Sequence, residues 1–429
     1  MKMFTPVLCF VAGYLALSTV APAADWPRFR GPNGDGTTAD TAIPLKWSEK
    51  ENLVWRTPLP GPGSSSPIVS GNRVFLTCYS GYGSTTNDPG DITKLTRYAL
   101  CLDRATGKIL WSHAVKATQL NKPFQGQYIT THGYASSSAV TDGRSVYFFF
   151  ANEGVFAFTM DGKPLWQVSV GLKAHDWGNG TSPILHGNLL IVNAAIESDT
   201  LFALDKSTGK TVWSVPRGFP ASWNTPTLAK VGAREELIVN ASGKLRAFDP
   251  AKGTELWSCR GIRGAELCPS VVVRDGVAYV LGLPGTGQAM AVRAGGNGDV
   301  SATHVVWEIK KGSNVGSPVV HEGHLYWAND SRGILYCAKA STGEIVFEQP
   351  LTGQRRDRIY ASPILSGGRL YFVSRTSGTY VVAAKPQFEL LAHNVIAEDT
   401  SVANASPAVA DGQIFLRSDR FAYCIGSRR

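Results

Sequence analysis

The stretch "LFALDKSTGKTVW" (Leu201–Trp213) has the pattern that decides the fold. Apolar residues alternate with polar ones on both sides of a short polar turn, which is typical of half-buried strands. The Asp can cap the turn with its side chain, and the Gly can adopt the positive φ that such a turn requires. The stretch therefore predicts two β-strands joined by a tight turn and closed by an aromatic residue.

The same element recurs along the chain. It reads "YALCLDRATGKILW" at Tyr98–Trp111 and "LRAFDPAKGTELW" at Leu245–Trp257, with divergent forms at Val155–Trp166 and Leu335–Phe347. The predicted closing positions are Trp55, Trp111, Trp166, Trp213, Trp257, Trp307, Phe347 and Leu391.

A second element, a small residue followed by Pro and an apolar run, accompanies these hairpins. We count eight copies, with Ala139 in place of Pro in the second: Ser64–Val69, Ser136–Thr141, Gly180–Leu185, Trp223–Leu228, Glu266–Val271, Val315–Val320, Tyr360–Leu365 and Asn404–Val409. Most copies lie 43 to 49 residues apart, and the first interval is 72 residues. Four short strands in about 45 residues make one propeller blade. We therefore predict an all-β fold, an eight-bladed β-propeller of four-stranded antiparallel blades.

The two ends of the repeat array complement each other. "LVWRTPL" (Leu53–Leu59) carries a closing element before the first Ser-Pro, whereas the last repeat, from Asn404, stops before its own. We predict that the N-terminal strand completes the last blade and closes the ring, because closure removes free sheet edges.

The start of the chain is typical of an exported protein. An apolar run is followed by small residues at Ala21 and Ala23, which predicts a signal peptide over residues 1–24; an N-terminal membrane anchor is the alternative. No other segment approaches the roughly 20 apolar residues of a spanning helix, so we expect no membrane span after cleavage. Residues 25–44 are predicted to form a leader that packs on the propeller, which occupies residues 45–429. We expect a monomer that is periplasmic or secreted in the bacterial cell envelope.

Charge and cysteine content exclude several classes of protein. The formal net charge is +9, but the basic residues are scattered, and a nucleic-acid surface needs a continuous basic face. No Cys-x-x-Cys occurs, so paired-Cys zinc and haem c sites have no support. Cys259 and Cys268 lie nine residues apart and are a candidate disulfide in an oxidising compartment.

These repeats resemble the pyrroloquinoline-quinone (PQQ)-like β-propeller family over about residues 45–429, and the opening "DWPRFRGPNGDG" (Asp25–Gly36) resembles the leader of exported "PQQ-binding-like" propellers. The resemblance implies the propeller fold. Quinoprotein alcohol dehydrogenases of this family carry an adjacent Cys-Cys disulfide, a calcium site and a catalytic Asp; this chain has no Cys-Cys pair, so none of those residues is carried over. The assembly lipoprotein of the same fold is a non-catalytic scaffold, but its lipidated Cys is also absent here.

The loops that lead into the innermost strands should open at one mouth of the central channel. The polar and aromatic residues there are the candidate ligand-binding set: His132, Tyr134, His175, Asp176, Trp177, Asn179, Trp223, Asn224, Glu266, Arg358, Tyr360 and Asn404. Trp177 and Trp223 precede Ser-Pro elements in adjacent blades, and a Trp in a concave site can stack a ring or a sugar. The alternative is that both side chains wedge neighbouring loops together.

We expect a non-catalytic scaffold that binds an envelope protein, a small molecule or a glycan. We predict no catalytic residues, no metal and no cofactor. One alternative is a PQQ-dependent alcohol or sugar dehydrogenase that binds PQQ with calcium. Another is a glycan-binding module.

Overall fold

The computed structural model describes residues 25–85, 88–123, 131–220, 222–263, 267–282, 288–351 and 358–427. They form eight sheets, each built on four antiparallel strands. The predicted eight-bladed β-propeller is confirmed. The predicted signal peptide, residues 1–24, lies outside the described residues.

Each blade runs from an inner strand at the channel to an outer strand at the rim. The first four blades contain the strands Ile68–Ser70, Arg73–Ser80, Thr96–Asp103 and Ile109–Lys116; Val140–Thr141, Ser145–Phe149, Val155–Thr159 and Pro164–Val168; Ile184–His186, Leu189–Ala194, Thr200–Asp205 and Thr211–Pro216; and Thr227–Val231, Arg234–Ala241, Lys244–Phe248 and Glu255–Arg260. Blades 5 to 8 contain Val272–Arg274, Val277–Gly282, Gln288–Arg293 and Val305–Ile309; Val319–His321, His324–Asn329, Ile334–Lys339 and Ile345–Pro350; Ile364–Ser366, Arg369–Val373, Thr379–Ala383 and Leu390–Asn394; and Ala408–Ala410, Gln413–Arg417, Phe421–Ile425 and Leu53–Pro58.

A few short elements are added to this frame. Thr37–Thr38 pairs in parallel with the inner strand of blade 7, and Gly298–Asp299 with the outer strand of blade 4. Helical turns lie at Ile92–Lys94, Ala151–Glu153 and Ala195–Ser198.

The rim explains why the repeat needs both its Trp and its turn Gly. Trp213 of blade 3 donates from its indole Nε1 to the carbonyl of Pro250 in blade 4, 3.2 Å away. Its ring packs on Gly253, which has a φ of +71°, and a Cβ added there would lie 2.6 Å from the ring. The same contact joins Trp55 to Gly107, Trp111 to Gly162, Trp166 to Gly209 and Trp307 to Gly343. The Gly is therefore required by its own turn and by the Trp of the preceding blade.

Every outer strand has a β-bulge one residue before the closing position. The extra residues are Val54, Leu110, Leu165, Val212, Leu256, Val306, Val346 and Leu391. The alignment that placed Leu391 at the closing position of blade 7 was wrong by one residue, because Ala392 is the residue that faces Val381 after the bulge. Bulges of this kind re-aim a side chain and interrupt an exposed edge.

The hydrophobic core is divided among the gaps between blades. Blades 3 and 4 share one buried cluster that includes Ile184, Trp213 and Phe248, and blades 6 and 7 share another that includes Tyr326 and Phe372. A single blade cannot bury both of its faces, so each blade depends on its two neighbours.

Cys259 and Cys268 do not form the predicted disulfide. Cys259 is buried on the outer strand of blade 4, opposite Leu245, whereas Cys268 lines the channel. The two residues are close in sequence, but one lies on the outer side of the ring and the other at its channel.

The N-terminal region contacts both the last blade and the far end of the channel. Leu53–Pro58 pairs with Phe421–Ile425 as the fourth strand of blade 8. Upstream, buried Trp26 exchanges two backbone hydrogen bonds with Val69, and Arg30 donates to the carbonyl of Pro318. That the strand is what closes the ring stays a prediction, and a truncation that tests it is given below.

Candidate functional site

A ring of hydroxyl groups surrounds the channel just before the inner strands. The backbone N–H of each ring residue donates to the side-chain oxygen of the next, over 2.8–3.2 Å, around the circle Ser66, Ser138, Ser182, Thr225, Ser270, Ser317, Ser362 and Ser406, and Ser406 donates back to Ser66. The small residue of the Ser-Pro element is thus the hydroxyl that links neighbouring blades. In blade 5 this residue is Ser270, two positions after Cys268 of the predicted element, and Val271 stands where six other blades have Pro and blade 2 has Ala139.

Above this ring lies a cavity of about 290 Å³. Six of the predicted residues line it: His132, Trp177, Trp223, Arg358, Tyr360 and Asn404. Phe29 of the N-terminal segment also lines this cavity, although that segment crosses the opposite end of the channel. Sequence positions that lie far apart in the chain therefore meet at one concave surface.

The two Trp side chains differ in their environment. Trp223 is 4 % exposed, and its Nε1 donates to the carbonyl of Gly178 over 2.9 Å. His175 packs edge-on against the same ring, with 5.0 Å between centroids. Trp177 is only half-buried and stacks on His132, with 6.5 Å between centroids and 10° between planes. Trp223 thus fastens the neighbouring loop, whereas Trp177 offers a face to the cavity.

His132 is held as a neutral hydrogen-bonding group. Its Nδ1 lies 3.0 Å from the hydroxyl of Ser136. Burial lowers the pKa of His132 to about 4, and the charge of Arg375 acts in the same direction. At neutral pH the imidazole therefore carries no charge, and one ring nitrogen donates while the other accepts.

The opposite wall of the cavity is cationic and aromatic. Arg358 donates from Nη1 to the hydroxyl of Tyr360 over 3.2 Å, and the guanidinium of Arg375 lies 4.8 Å from the Tyr360 ring centroid. Asn404 accepts from Arg375 Nε at 2.9 Å and donates to the Thr131 carbonyl at 2.9 Å. Asn404 therefore supports the wall by joining its own loop, before blade 8, to Arg375 of blade 7 and to the loop that leads into blade 2.

The remaining predicted residues do not line this cavity. Tyr134, His175 and Asn179 line a smaller neighbouring cavity of about 30 Å³. Asp176 is exposed and lies 3.7 Å from Lys122 Nζ, and Asn224 is fully buried in hydrogen bonds with Ser222 and Asn240. Glu266 lies outside the described residues.

Sequence reasoning missed residues that follow the second strand of a blade. In an antiparallel blade the end of the second strand lies at the same end as the start of the first. Asp330 follows His324–Asn329 and lines the cavity, and Arg375 follows Arg369–Val373. Glu197 follows Leu189–Ala194 and lines the smaller cavity. A search of both sets of loops would have found them.

Eight similar four-stranded blades joined by this hydroxyl circle define the class of protein as a repeat β-propeller. The chain belongs to the PQQ-repeat family described as outer membrane protein assembly factor BamB, whose family model matches residues 45–172, 95–349 and 297–420. The predicted family resemblance is confirmed.

Two curated relatives are enzymes. The chain is 23% identical over 355 residues to the tetrathionate hydrolase of Acidithiobacillus ferrooxidans, which is 75% of this chain and 65% of that protein. It is 33% identical over 106 residues to the quinohemoprotein alcohol dehydrogenase ADH IIB of Pseudomonas putida, which is 24% of this chain and 15% of that protein. The chain thus spans less than two thirds of the length of either relative.

Solved structures share the fold at low identity. BamB from Moraxella catarrhalis is 13% identical, with a TM-score of 0.60 over 87% of this chain and 99% of that one. The computationally designed Ika8 protein is also 13% identical, with a TM-score of 0.59 over 86% of this chain and 98% of that one.

The cavity is a poor match for a quinone held with calcium. Asp330 is the carboxylate among the described residues that line it, whereas calcium takes six to eight oxygen ligands, several of them carboxylates. Across the described ranges, no group of three His, Cys, Asp or Glu side chains is placed to hold a metal ion. Nor, within the same ranges, is any helix long and apolar enough to span a membrane.

Proposed function

We propose that this chain is an exported, non-catalytic β-propeller scaffold of the cell envelope, which binds a partner protein or a small ligand at its channel mouth. The observation that carries the proposal is the cavity of about 290 Å³ in which Trp177, His132, Arg358 and Tyr360 meet. Its walls offer stacking faces, a cation and hydroxyl groups, which suit recognition of a polar or ring-containing group. Membership of the BamB family supports the protein-scaffold role.

Trp177→Ala tests this proposal with little effect on folding, because the side chain is half-buried. The matched control is Leu165→Ala, which truncates an exposed apolar residue at the rim, far from the mouth. Wild type and both variants are mixed with detergent-solubilised envelope extract and run on size-exclusion columns. We expect the wild type and Leu165→Ala to shift to a larger complex and Trp177→Ala to remain unbound. Equal binding by all three proteins would contradict the role of the mouth.

Glycan binding is a second candidate, favoured by the flat face of Trp177 beside polar groups. On a glycan array the wild type should bind a defined set of sugars that Trp177→Ala loses. Trp223→Ala is not a clean probe, because Trp223 also holds the Gly178 loop. Loss of binding by Trp223→Ala together with a lower melting temperature would reflect that structural role.

A PQQ-dependent dehydrogenase is the third candidate, favoured by the partial likeness to the alcohol dehydrogenase ADH IIB. Its test is titration with PQQ and calcium while Trp fluorescence is recorded, followed by a dye-linked assay with alcohols and sugars. Unchanged fluorescence at high micromolar PQQ would argue against this function. Saturable quenching with dye reduction would instead overturn the non-catalytic proposal.

A further inference from the structure

A second cavity, of about 30 Å³, lies behind the loop that carries Trp177. Arg97, Asn152 and Glu197 line it, and each contributes a buried polar atom with no hydrogen-bond partner among the described residues. These atoms are Arg97 Nη1, which donates, Asn152 Oδ1, which accepts, and Glu197 Oε2, which donates when protonated and accepts when ionised. A water molecule can both accept and donate hydrogen bonds, and the volume suits one or two waters.

Glu197 holds the loop at both ends. Its backbone carbonyl accepts from Lys173 N over 3.2 Å. Its Oε1 accepts from Asn179 Nδ2 over 2.7 Å, and Asn179 in turn accepts from the Ser137 hydroxyl over 2.7 Å. The segment between these two contacts, residues 174–178, contains Trp177. One buried residue thus contacts both ends of this loop of the channel mouth, through its backbone carbonyl at Lys173 and through its carboxyl at Asn179.

The charges around Glu197 leave it poorly compensated as an anion. The charge of the buried Arg97 guanidinium is shared between two buried carboxyls, those of Glu153 and Glu197, which both act on its pKa. Glu153 is already satisfied by donors from Thr118 and Gln119. The other charged or titratable groups that line the cavity are Lys122, Tyr134, Lys173 and His175. Burial raises the pKa of Glu197 to about 7, although the Asn179 hydrogen bond and the Arg97 charge oppose that rise.

We propose that Glu197 is a proton-responsive clasp that positions Trp177 at the channel mouth. Neutral Glu197 stays buried and holds the 173–179 loop closed. When Oε2 loses its proton, the carboxylate gains free energy by contact with water, and the loop opens. Since a group whose pKa is higher in the closed state binds its proton more tightly there, acid closes the loop and alkali opens it. The inference deepens the proposed function, because Trp177 is the proposed contact residue, but its test requires no ligand.

Hydrogen exchange of the loop amides measures the opening. Protection factors, corrected for the intrinsic pH dependence of exchange, are obtained for residues 171–180 of the full chain between pH 5 and pH 8. The ordinary pKa of Glu is 4.5, and the pKa of buried Glu197 is about 7. Between these two values, each pH unit raises the equilibrium constant for loop opening up to tenfold. Protection should therefore fall by about 10²-fold across the titration. In Glu197→Gln, which keeps a neutral side chain at every pH, protection should stay at the level found in acid.

Two controls separate Glu197 from its neighbours. Glu153→Gln removes a charge from the same cluster but leaves the loop contacts intact, so it should move the transition to lower pH. His175→Gln removes the histidine of the loop and should leave the transition unchanged. Protection that is equal at pH 5 and pH 8, or that falls equally in Glu197→Gln, would overturn the proposal.

Two further measurements test the clasp without Glu197→Gln and test the position of Trp177 at the mouth. Should Glu197→Gln fail to fold, Asn179→Ala removes the bond to Oε1 and should lower protection even at pH 5; unchanged protection in that variant would count against the clasp. Acrylamide quenching of Trp177, taken as the difference from Trp177→Phe, should rise with pH in parallel with loop exchange. Quenching that does not change with pH would contradict the positioning of Trp177. Neither hydrogen exchange nor acrylamide quenching uses a ligand. Both measurements therefore still test the clasp if the binding proposal fails.

Discussion

The rim of the propeller and the mouth of its channel use the same eight repeats in opposite ways. At the rim, six blades present a Trp at the closing position, and five of these six pack on a turn Gly of the following blade. At the mouth, adjacent blades present different side chains, such as His132, Trp177 and Trp223. A rim contact must fit its equivalent in the next blade, so residue types there repeat. A mouth loop has no such partner, so its residues are free to form a site.

Removal of Leu53–Pro58 should have the largest effect on stability. A chain that starts at residue 59 leaves Phe421–Ile425 as an open edge and the last blade with three strands, so we expect aggregation or loss of folded protein. A chain that starts at residue 45 lacks the leader but retains the strand, and it should fold with a lower melting temperature. Circular dichroism and size-exclusion chromatography distinguish the two. Equal folding of both chains would show that this strand does not close the ring.

Trp213→Ala should cost about 3–5 kcal/mol of unfolding free energy, as for other buried aromatic residues. It removes a side chain that contacts both Gly253 and the carbonyl of Pro250 in the next blade. The adjacent bulge residue Val212 is 55 % exposed, so Val212→Ala should change stability by only about 0.5 kcal/mol. Denaturant unfolding of the two variants makes the comparison on a single strand. Similar losses would mean that the rim contacts do not depend on the Trp–Gly pairing.

Glu197 should make stability depend on pH. Its pKa is about 7 in the folded chain against an ordinary 4.5, so its contribution is fully present below pH 4.5 and is lost as the pH rises to about 7. The difference amounts to at most about 3 kcal/mol, since one pKa unit corresponds to about 1.4 kcal/mol. Glu197→Gln should therefore gain stability relative to wild type between pH 5 and pH 8. Parallel pH profiles for the two proteins would assign the dependence to other groups.

The sequence predicts the fold well because the rim constraints recur. The Asp–Gly turns, the closing aromatic residues and the Ser-Pro spacing follow from contacts that each blade makes with the next. Two positions were misplaced. The closing residue of blade 7 is Ala392, which is not aromatic, and the hydroxyl residue of blade 5 is Ser270 instead of Cys268. The sequence of a single repeat shows neither change.

The site is harder to predict, because proximity at the mouth depends on which strand end faces it. Residues that precede inner strands were identified, whereas Asp330 and Glu197, which follow second strands, were not. The different environments of Trp177 and Trp223 also depend on one contact, from Trp223 to the Gly178 carbonyl, that the sequence does not show.

The hydroxyl circle lies between rim and mouth, and a substitution there should have the smallest effect. Ser182→Ala removes the acceptor for Ser138 N and leaves a buried N–H without a partner, at a cost of roughly 1–3 kcal/mol. Ser182→Thr keeps the hydroxyl, as Thr225 does in the next blade, and should cost less. Because the apolar clusters between blades remain, one broken bond should lower the denaturation midpoint without opening the ring. A loss of unfolding free energy as large as that of Trp213→Ala would instead mean that the blades are held together mainly at the channel. The rim contacts would then depend on the hydroxyl circle.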